Sequence, residues 1–252
     1  MTRYRKLAEM LWSAERDRSE IRRITLDHPD LDTGDAYRSL DELVALKQGA
    51  GQLPVGYKLG YTSEAMRRQM GVHEPSYGVL FDTMMMKSGA NLAMNELIHP
   101  KVEAEIAFIL KKDVKGPDIT ADAVLAATDC VLPALEVVDS RYIDYKFTSV
   151  DVIADNNSAA RVILGGKRFD PDAVDLKAVR VNLWCNGQLT EKGVGTDVLG
   201  HPAEAVAWLA NFLAGRGKYL AQGHIVISGG MTQAVDLERG DEVHTCFGEL
   251  GE

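Results

Sequence analysis

The chain has 252 residues, of which 46% are hydrophobic, and a formal net charge of −9 at pH 7. This length and composition allow a substantial core in one large domain, or in a main domain with a small lobe. The negative charge argues against a general binder of nucleic acids or anionic membranes, and no segment approaches the roughly 20 apolar residues of a membrane span.

The spacing of the three cysteines indicates a reducing compartment. Cys130, Cys185 and Cys246 are widely spaced and lie in apolar sequence, a pattern that fits reduced core thiols better than a disulfide framework or a zinc cluster. The N-terminus alternates charge from its first residues and carries no secretion signal. A cytoplasmic protein is therefore expected.

Two helical patterns begin the chain. Apolar residues at near-helical spacing predict a helix over residues 4–23, and a second pattern covers 33–48 before the breaker Gly49-Ala50-Gly51. Together they predict an all-helical N-terminal lobe over residues 1–53, followed by a different domain over residues 54–252.

From residue 54 onward, short apolar runs separated by glycine, proline, asparagine and aspartate predict many strands. Helices are expected there at 122–128 and 201–213, and Asn186-Gly187 is typical of a tight hairpin turn. This texture predicts a barrel-like or layered β domain. The predicted strands cover residues 56–61, 77–81, 102–110, 131–138, 161–164, 179–185, 224–227 and 242–247.

A lysine lies inside the first of these strands, in the segment Pro54-Val-Gly-Tyr-Lys-Leu-Gly60. A lysine between apolar residues and glycines either extends its ammonium group to water or faces a polar pocket. Taken alone, the pattern at Lys58 favours extension to water.

Glu103 and Glu105 interrupt one apolar strand, and Glu136 interrupts another. Side chains alternate faces along a strand, so Glu103 and Glu105 share one environment. Burying an unpaired carboxylate is costly, and a positive partner is therefore expected. Mg²⁺ or Mn²⁺ suits three carboxylates, whereas zinc usually recruits histidine or cysteine. Two alternatives stay open, an exposed edge strand and a salt bridge from Glu136 to Arg141 or Lys101.

Polar tracts that follow apolar strands supply further candidates. The tracts 139–142 and 154–158 either donate hydrogen bonds to a ligand or build turns. The Gly-Gly pair at 229–230 frees backbone N–H groups that could hold a carboxylate, although a tight turn needs the same residues. The ligand-binding candidates are Ser140, Arg141, Asp155, Asn156, Gly230 and Thr232.

Six spaced motifs, taken together, are far more specific than any one of them. They cover residues 56–60, 71–78, 101–106, 132–141, 154–156 and 199–202. In this order they resemble the 2-oxopent-4-enoate hydratase and 4-oxalocrotonate decarboxylase group of the fumarylacetoacetate hydrolase superfamily. The resemblance implies an α+β fold with a mixed β-roll or barrel and a helical N-terminal lobe, and it implies homo-oligomers.

The resemblance also implies a site in residues 54–252, which would form the metal-binding catalytic domain. Glu103, Glu105 and Glu136 would hold Mg²⁺ or Mn²⁺. Lys58 would act on the 2-oxo or enol oxygen of a small 2-oxo dicarboxylate or dienoate, as an electrostatic stabiliser or a proton donor.

Two sister reactions occur in this group, and one position bears on the choice. The hydratases usually carry an aspartate in the Pro-x-Tyr/Phe-Gly motif, where this chain has Ser76, which is expected to lie at the substrate. The decarboxylases also lack that aspartate.

The resemblance therefore implies metal-dependent decarboxylation of 2-oxo-3-hexenedioate (4-oxalocrotonate) to 2-hydroxypenta-2,4-dienoate and CO₂, in a meta-cleavage pathway of aromatic catabolism. One alternative is hydration of that dienoate to 4-hydroxy-2-oxopentanoate. Another is a structural role in a complex with the sister hydratase, with which decarboxylases of the group are expected to associate.

Overall fold

The computed structural model describes residues 1–252, apart from the side chains at positions 65 and 70. Its helices are α1 (Arg3–Asp17), α2 (Ile24–Asp27), α3 (Thr33–Gly49), α4 (Glu64–Met70), α5 (Ala121–Ala127), α6 (Ser149–Ala154) and α7 (Pro202–Ala214). Its strands are β1 (Pro54–Gly60), β2 (Ser76–Phe81), β3 (Met85–Lys87), β4 (Lys101–Leu110), β5 (Thr128–Val138), β6 (Ala159–Leu164), β7 (Arg180–Cys185), β8 (Gln188–Val194), β9 (Ile225–Ile227), β10 (Val235–Asp236) and β11 (Val243–Cys246).

The N-terminal region is helical, and α1 and α3 pack against each other. Leu7 and Leu11 on α1, and Leu40 and Leu43 on α3, are buried because three- and four-residue spacings place each pair on one helix face. Helix α1 is shorter than predicted, since Arg18 adopts a left-handed conformation with φ of 52° and ends it. The domain division between residues 53 and 54 stays a prediction.

The main sheet has eight strands in the order β2-β1-β9-β4-β5-β6-β3, with β10 paired to β4. The antiparallel pair β4–β5 forms its centre and keeps one register from Lys101 opposite Val138 to Ile109 opposite Cys130, after which the register shifts. Over the residues that the structure describes, β2 and β3 do not pair with each other, so the sheet is open and is not a closed barrel. The predicted combination of a mixed sheet with helices is confirmed.

A smaller sheet has the order β11-β7-β8. The predicted hairpin turn joins β7 to β8, with Cys185 opposite Gln188. Asn186 has φ of 54° and Gly187 has φ of 74°. Two consecutive positive φ values are what a type I′ turn requires, so the Asn-Gly signal predicted this hairpin correctly.

The sequence patterns did not predict α2, α4 or α6. Helices α2 and α6 have four and six residues, less than two helical turns, so little of an apolar period is visible. The available signal for α6 was the capping box of Thr148 and Asp151. The Asp151 carboxylate also accepts hydrogen bonds from the N–H of Thr25 at 2.9 Å and from its hydroxyl at 2.8 Å, which ties the N-terminal region to α6.

Helix α7 packs against the core with Val206, Leu209 and Leu213 fully buried. His201 caps its N-terminus, where the imidazole Nδ1 accepts the N–H of Ala203 at 2.9 Å. Among the described residues no helix, α7 included, combines the length and apolar character that crossing a membrane requires.

Candidate metal centre and active site

Three glutamates converge on one face of the β4–β5 pair. Glu103 lies directly opposite Glu136, and Glu105 lies two residues farther along β4 on the same face. One carboxylate oxygen of each residue lies within 4.8 Å of those of the other two. Glu105 and Glu136 are fully buried, and Glu103 is partly exposed. The alternative of an exposed edge strand is wrong, because β4 lies inside the sheet between β9 and β5.

Lys58 on β1 reaches this cluster over the intervening strands. Its side chain is 5% exposed, and its Nζ lies 2.8 Å from Oε2 of Glu136. The same Nζ donates a hydrogen bond to the backbone carbonyl of Asn157 at 3.2 Å. The expectation that the ammonium group extends to water is therefore wrong, and Lys58 faces the polar pocket that was the other reading of its strand.

The two cations first considered as partners of Glu136 pair elsewhere. Arg141 Nε lies 2.5 Å from Oδ1 of Asp155, and both side chains are fully buried. Lys101 Nζ lies 2.9 Å from a carboxylate oxygen of Asp236. A salt bridge from Glu136 to Arg141 or Lys101 is thus wrong, and the nearby cation is Lys58.

The cluster places three carboxyl groups around one ammonium group. Burial, followed by the charge of Glu136, raises the pKa of Glu103 to about 7 and raises the pKa of Glu105 well above its usual value. Burial alone would lower the pKa of Lys58, but the three carboxylates outweigh burial and raise it. Lys58 therefore keeps its proton at neutral pH, and a further cation would allow all three glutamates to ionise by offsetting their mutual repulsion.

Several carboxylate oxygens of the cluster lack hydrogen-bond partners among the described residues. These are Oε1 of Glu105 and Oε1 of Glu136, whereas Oε2 of Glu136 is paired with Lys58 at 2.8 Å. The other oxygen of Glu105 accepts the N–H of Gly229 at 2.7 Å. Buried unpaired carboxylate oxygens are costly, and hard divalent cations prefer such ligands. The donor set therefore fits Mg²⁺ or Mn²⁺.

The segment 228–232 follows β9 and borders the cluster. The hydroxyl of Thr232 accepts the N–H of Ala104 at 3.1 Å, which fixes the segment along β4. A Cβ added to Gly230 would lie 3.0 Å from Oε2 of Glu103. Gly230 thus gives the Glu103 carboxylate the space it occupies, and Thr232 bonds to the residue between Glu103 and Glu105.

Hydrogen bonds to other protein groups occupy the side chains of Ser140, Arg141 and Asp155. Besides its pair with Asp155, the Arg141 guanidinium donates to the carbonyl of Asp139 at 2.7 Å. The hydroxyl of Ser140 accepts the N–H of Tyr142 at 3.2 Å. Among the described residues no hydrogen bond or ion pair joins these three side chains to the glutamates. Their contact with a substrate stays a prediction.

Ser76 and Asn156 are buried and bind protein groups along β2. The Asn156 amide accepts the N–H of Val79 at 2.7 Å and donates to its carbonyl at 2.9 Å. The Ser76 hydroxyl donates to Oδ1 of Asn157, a residue that sequence analysis did not select although its carbonyl contacts Lys58. The sequence signal that could have selected Asn157 is the pair Asn156-Asn157, because asparagine is enriched in left-handed backbone.

Comparison with known proteins found relatives over nearly the whole chain. A family model described as fumarylacetoacetate (FAA) hydrolase C-terminal matches residues 55–252. The 4-oxalocrotonate decarboxylase of Pseudomonas sp. (strain CF600) is 44% identical over 237 residues, which cover 94% of this chain and 90% of the relative. The 2-oxo-hept-4-ene-1,7-dioate hydratase of Escherichia coli is 40% identical, over 97% of this chain and 94% of the relative.

One solved structure resembles the whole chain closely. It is the 4-oxalocrotonate decarboxylase from Pseudomonas putida G7 complexed with magnesium and adipate. The match has a TM-score of 0.97 at 40% identity and covers 100% of this chain and 96% of that one.

Proposed function

The chain belongs to the fumarylacetoacetate hydrolase family, and on that premise we propose that it is a lyase that decarboxylates 2-oxo-3-hexenedioate to 2-hydroxypenta-2,4-dienoate and CO₂. The observation that carries this choice is Ser76, which stands where hydratases of the group usually carry an aspartate. Its hydroxyl is buried and donates a hydrogen bond to Asn157. This position therefore supplies no carboxylate for adding water. The 44% identity with a decarboxylase over 94% of the chain supports the same choice.

The proposed metal ligands are Glu103, Glu105 and Glu136, with Mg²⁺ or Mn²⁺ as the ion. The unpartnered oxygens of Glu105 and Glu136 support this proposal, as does the magnesium in the related structure from Pseudomonas putida G7. When bound, the ion would supply a Lewis acid that stabilises negative charge on the 2-oxo oxygen of the substrate.

In the proposed reaction the C5–C6 bond breaks and carbon 6 leaves as CO₂. The electron pair of the C5–C6 bond forms the C4=C5 double bond, the C3=C4 π pair moves to C2=C3, and the C2=O π pair moves onto the oxygen. Lys58 is protonated because the neighbouring carboxylates raise its pKa, so it can stabilise that oxygen or donate a proton to it. This stabilisation acts on charge that develops in the transition state, which is why it lowers the barrier.

The proposed substrate-binding residues fall into two sets. Gly230 and Thr232 border Glu103 and lie beside the reacting atoms if the ligands are those proposed. The side chains of the second set make hydrogen bonds to other protein groups. This set consists of Ser76, Ser140, Arg141, Asp155 and Asn156.

Supplying the protein with Mg²⁺ and 2-oxo-3-hexenedioate is expected to release CO₂, whereas chelation with EDTA should abolish the release. The assay follows ultraviolet absorbance and CO₂ together and is repeated with 2-hydroxypenta-2,4-dienoate. Consumption of the dienoate without CO₂ release from the diacid would make the protein a hydratase, the second candidate, which the 40% identity with a hydratase supports. Silence on both compounds would favour the role of a structural partner.

Mg²⁺ affinity is expected to rise with pH through about 7. Burial and Glu136 raise the pKa of Glu103 to about 7, so below that value a proton must leave before the carboxylate can bind the ion. Each competing proton weakens binding by about tenfold per pH unit on the acid side. Calorimetric titrations in buffers of different ionisation enthalpy would measure both the affinity and the proton released. Equal affinity on both sides of pH 7, with no proton release, would contradict the expectation.

We also propose a cytoplasmic homo-oligomer that works in a meta-cleavage pathway and forms a complex with the sister hydratase. The three cysteines are free thiols, which fits a reducing compartment. The presence of Lys58 together with all three glutamates in one buried cluster favours an enzyme over a purely structural partner.

A further inference from the structure

A left-handed turn follows α6 and reaches the active site. Asn156, Asn157 and Ser158 have φ of 52°, 50° and 57°, respectively. Residues other than glycine seldom have positive φ, and here three occur in succession. Such backbone persists only where the surrounding structure holds it, and this occurs preferentially at functional sites.

Two asparagine side chains hold the turn against β2. The amide of Asn156 bonds to the N–H and the carbonyl of Val79 at 2.7 Å and 2.9 Å. The amide of Asn157 donates to the carbonyl of Tyr77 at 2.6 Å and accepts the hydroxyl of Ser76 at 2.5 Å. The two side chains thus bond to β2 as a neighbouring strand would.

Two glycines let the turn approach β1 and β2 closely. A Cβ added to Gly60 would lie 2.8 Å from Oδ1 of Asn157, and one added to Gly78 would lie 2.5 Å from the carbonyl oxygen of Asn156. Both distances are too short for a real Cβ. The shape of the strands therefore fixes where the turn lies, in addition to the four hydrogen bonds.

The turn places one acceptor against the lysine of the active site. The carbonyl of Asn157 accepts a hydrogen bond from Lys58 Nζ at 3.2 Å, and the only other partner of that Nζ among the described residues is Glu136, at 2.8 Å. A lysine side chain is a flexible four-carbon stem, so by itself it does not hold its ammonium group in one position. Two fixed contacts are needed to hold its ammonium group at one point.

We propose that Asn157 is a positioning residue that fixes the ammonium group of Lys58, and that Ser76 acts through Asn157 by fixing the orientation of its amide. This inference rests on the proposed function for what Lys58 does to the substrate. It also assigns Ser76 a role beyond the absence of a carboxylate. An aspartate at position 76 has no proton to donate, so it could only accept a hydrogen bond from the NH₂ group of Asn157. The amide would then have to flip, and its oxygen would face the carbonyl of Tyr77.

The first test is Asn157→Gly, because glycine keeps the left-handed backbone accessible while removing the amide. The variant is expected to lose about 100-fold in kcat, the effect of misplacing a catalytic group by about 1 Å, with KM and Mg²⁺ affinity nearly unchanged. Ser76→Ala removes a single hydrogen bond and is expected to change kcat in the same direction by a smaller factor, should the first variant fold poorly.

The matched control is Asn186→Gly. Asn186 also has a left-handed backbone, and its amide also makes two hydrogen bonds, to Asp241 and to the N–H of Glu242, but it lies in the β7–β8 turn. This control is expected to keep the wild-type kcat. An equal loss in both variants would mean that removing any such amide impairs the protein generally, and would overturn the proposal.

A double-mutant cycle separates positioning from general damage. In a Lys58→Met background, Asn157→Gly should have no further effect on kcat, because the group that it positions is gone. A full additional 100-fold loss in that background would overturn the proposal, and so would a wild-type kcat in Asn157→Gly alone.

A structural readout keeps this inference separate from the proposed reaction. In a crystal structure of Asn157→Gly, Lys58 Nζ is expected to leave its position between Glu136 and the carbonyl of residue 157. An unmoved Nζ would overturn the inference whichever reaction the protein catalyses. Absence of CO₂ release by the wild-type protein, with Nζ displaced in the variant, would instead refute only the proposed decarboxylation.

Discussion

Lys58→Met is expected to lower kcat for CO₂ release by about 10³-fold, the range for losing a general acid or a preorganised donor. Methionine retains an unbranched side chain in the buried space but removes the ammonium group that lies 2.8 Å from Glu136. The negative charge that develops on the substrate oxygen would then lose the ammonium group proposed to stabilise it. Steady-state kinetics at saturating Mg²⁺ would measure the loss.

Mg²⁺ binding should survive this substitution, because the three glutamates are unchanged. Without Lys58 the cluster has no ammonium group to offset its carboxylates, so a divalent cation should bind at least as well as in the wild-type protein. A titration that follows the thermal unfolding midpoint against Mg²⁺ would test this. Loss of Mg²⁺ binding would mean that Lys58 supports the site structurally.

Lys47→Met supplies the matched control. Lys47 is another buried lysine, with its side chain 1% exposed and its Nζ 2.5 Å from a carboxylate oxygen of Glu15, but it lies in the helical N-terminal region. Breaking this pair should lower the thermal unfolding midpoint and leave kcat near the wild-type value. Near-normal turnover in Lys58→Met, or an equally large loss in Lys47→Met, would contradict the catalytic role of Lys58.

Glu105→Gln is expected to abolish the stabilisation that Mg²⁺ gives the wild-type protein. A ligand at about 100 times its Kd raises the free energy of unfolding by about 2.7 kcal/mol, and this increment should disappear. Glutamine can still accept the N–H of Gly229, which bonds to Glu105 at 2.7 Å, so the local backbone should keep its support. Thermal unfolding in EDTA and in excess Mg²⁺ would measure the difference.

The metal-free Glu105→Gln protein should be as stable as the wild type or more stable. Burial and the charge of Glu136 raise the pKa of Glu105 well above its usual value. The folded protein therefore holds this proton more tightly than the unfolded chain, and the stability of the metal-free wild type falls as pH rises above the unfolded pKa. A neutral glutamine removes that loss at neutral pH.

Glu15→Gln is the control for the glutamate substitution. It removes a carboxylate from an ion pair with a buried lysine but does not touch the three glutamates. Its Mg²⁺-dependent increase in the unfolding midpoint should equal that of the wild type. A normal Mg²⁺ response in Glu105→Gln would remove Glu105 from the proposed ligand set.

Most of the β strands could be predicted because their signals are local. Apolar runs bounded by glycine, proline and asparagine mark β1, β2, β4 and β5, and the Asn186-Gly187 pair marks the β7–β8 turn. Short helices such as α6 (Ser149–Ala154) were missed, because six residues do not complete two helical turns.

The candidate site was only partly predictable. Strand alternation placed Glu103 and Glu105 on one face, as the structure has them. The direction of Lys58 was predicted wrongly from its own segment, because the choice between solvent and pocket depends on strands far along the chain. Asn157 was missed because its importance comes from backbone conformation and from a carbonyl, which every residue possesses.

The sequence by itself determined which side chains share a strand face, where the longer helices begin, and to which family the chain is similar. These follow from periodicity and from motif spacing, both of which are local. Only the tertiary structure decided that Glu136 faces Glu103, that Lys58 pairs with Glu136, and that Arg141 pairs with Asp155. The reason is physical: strand order and register are set by packing of the whole sheet, and a buried charge finds its partner among the residues that this packing brings near it.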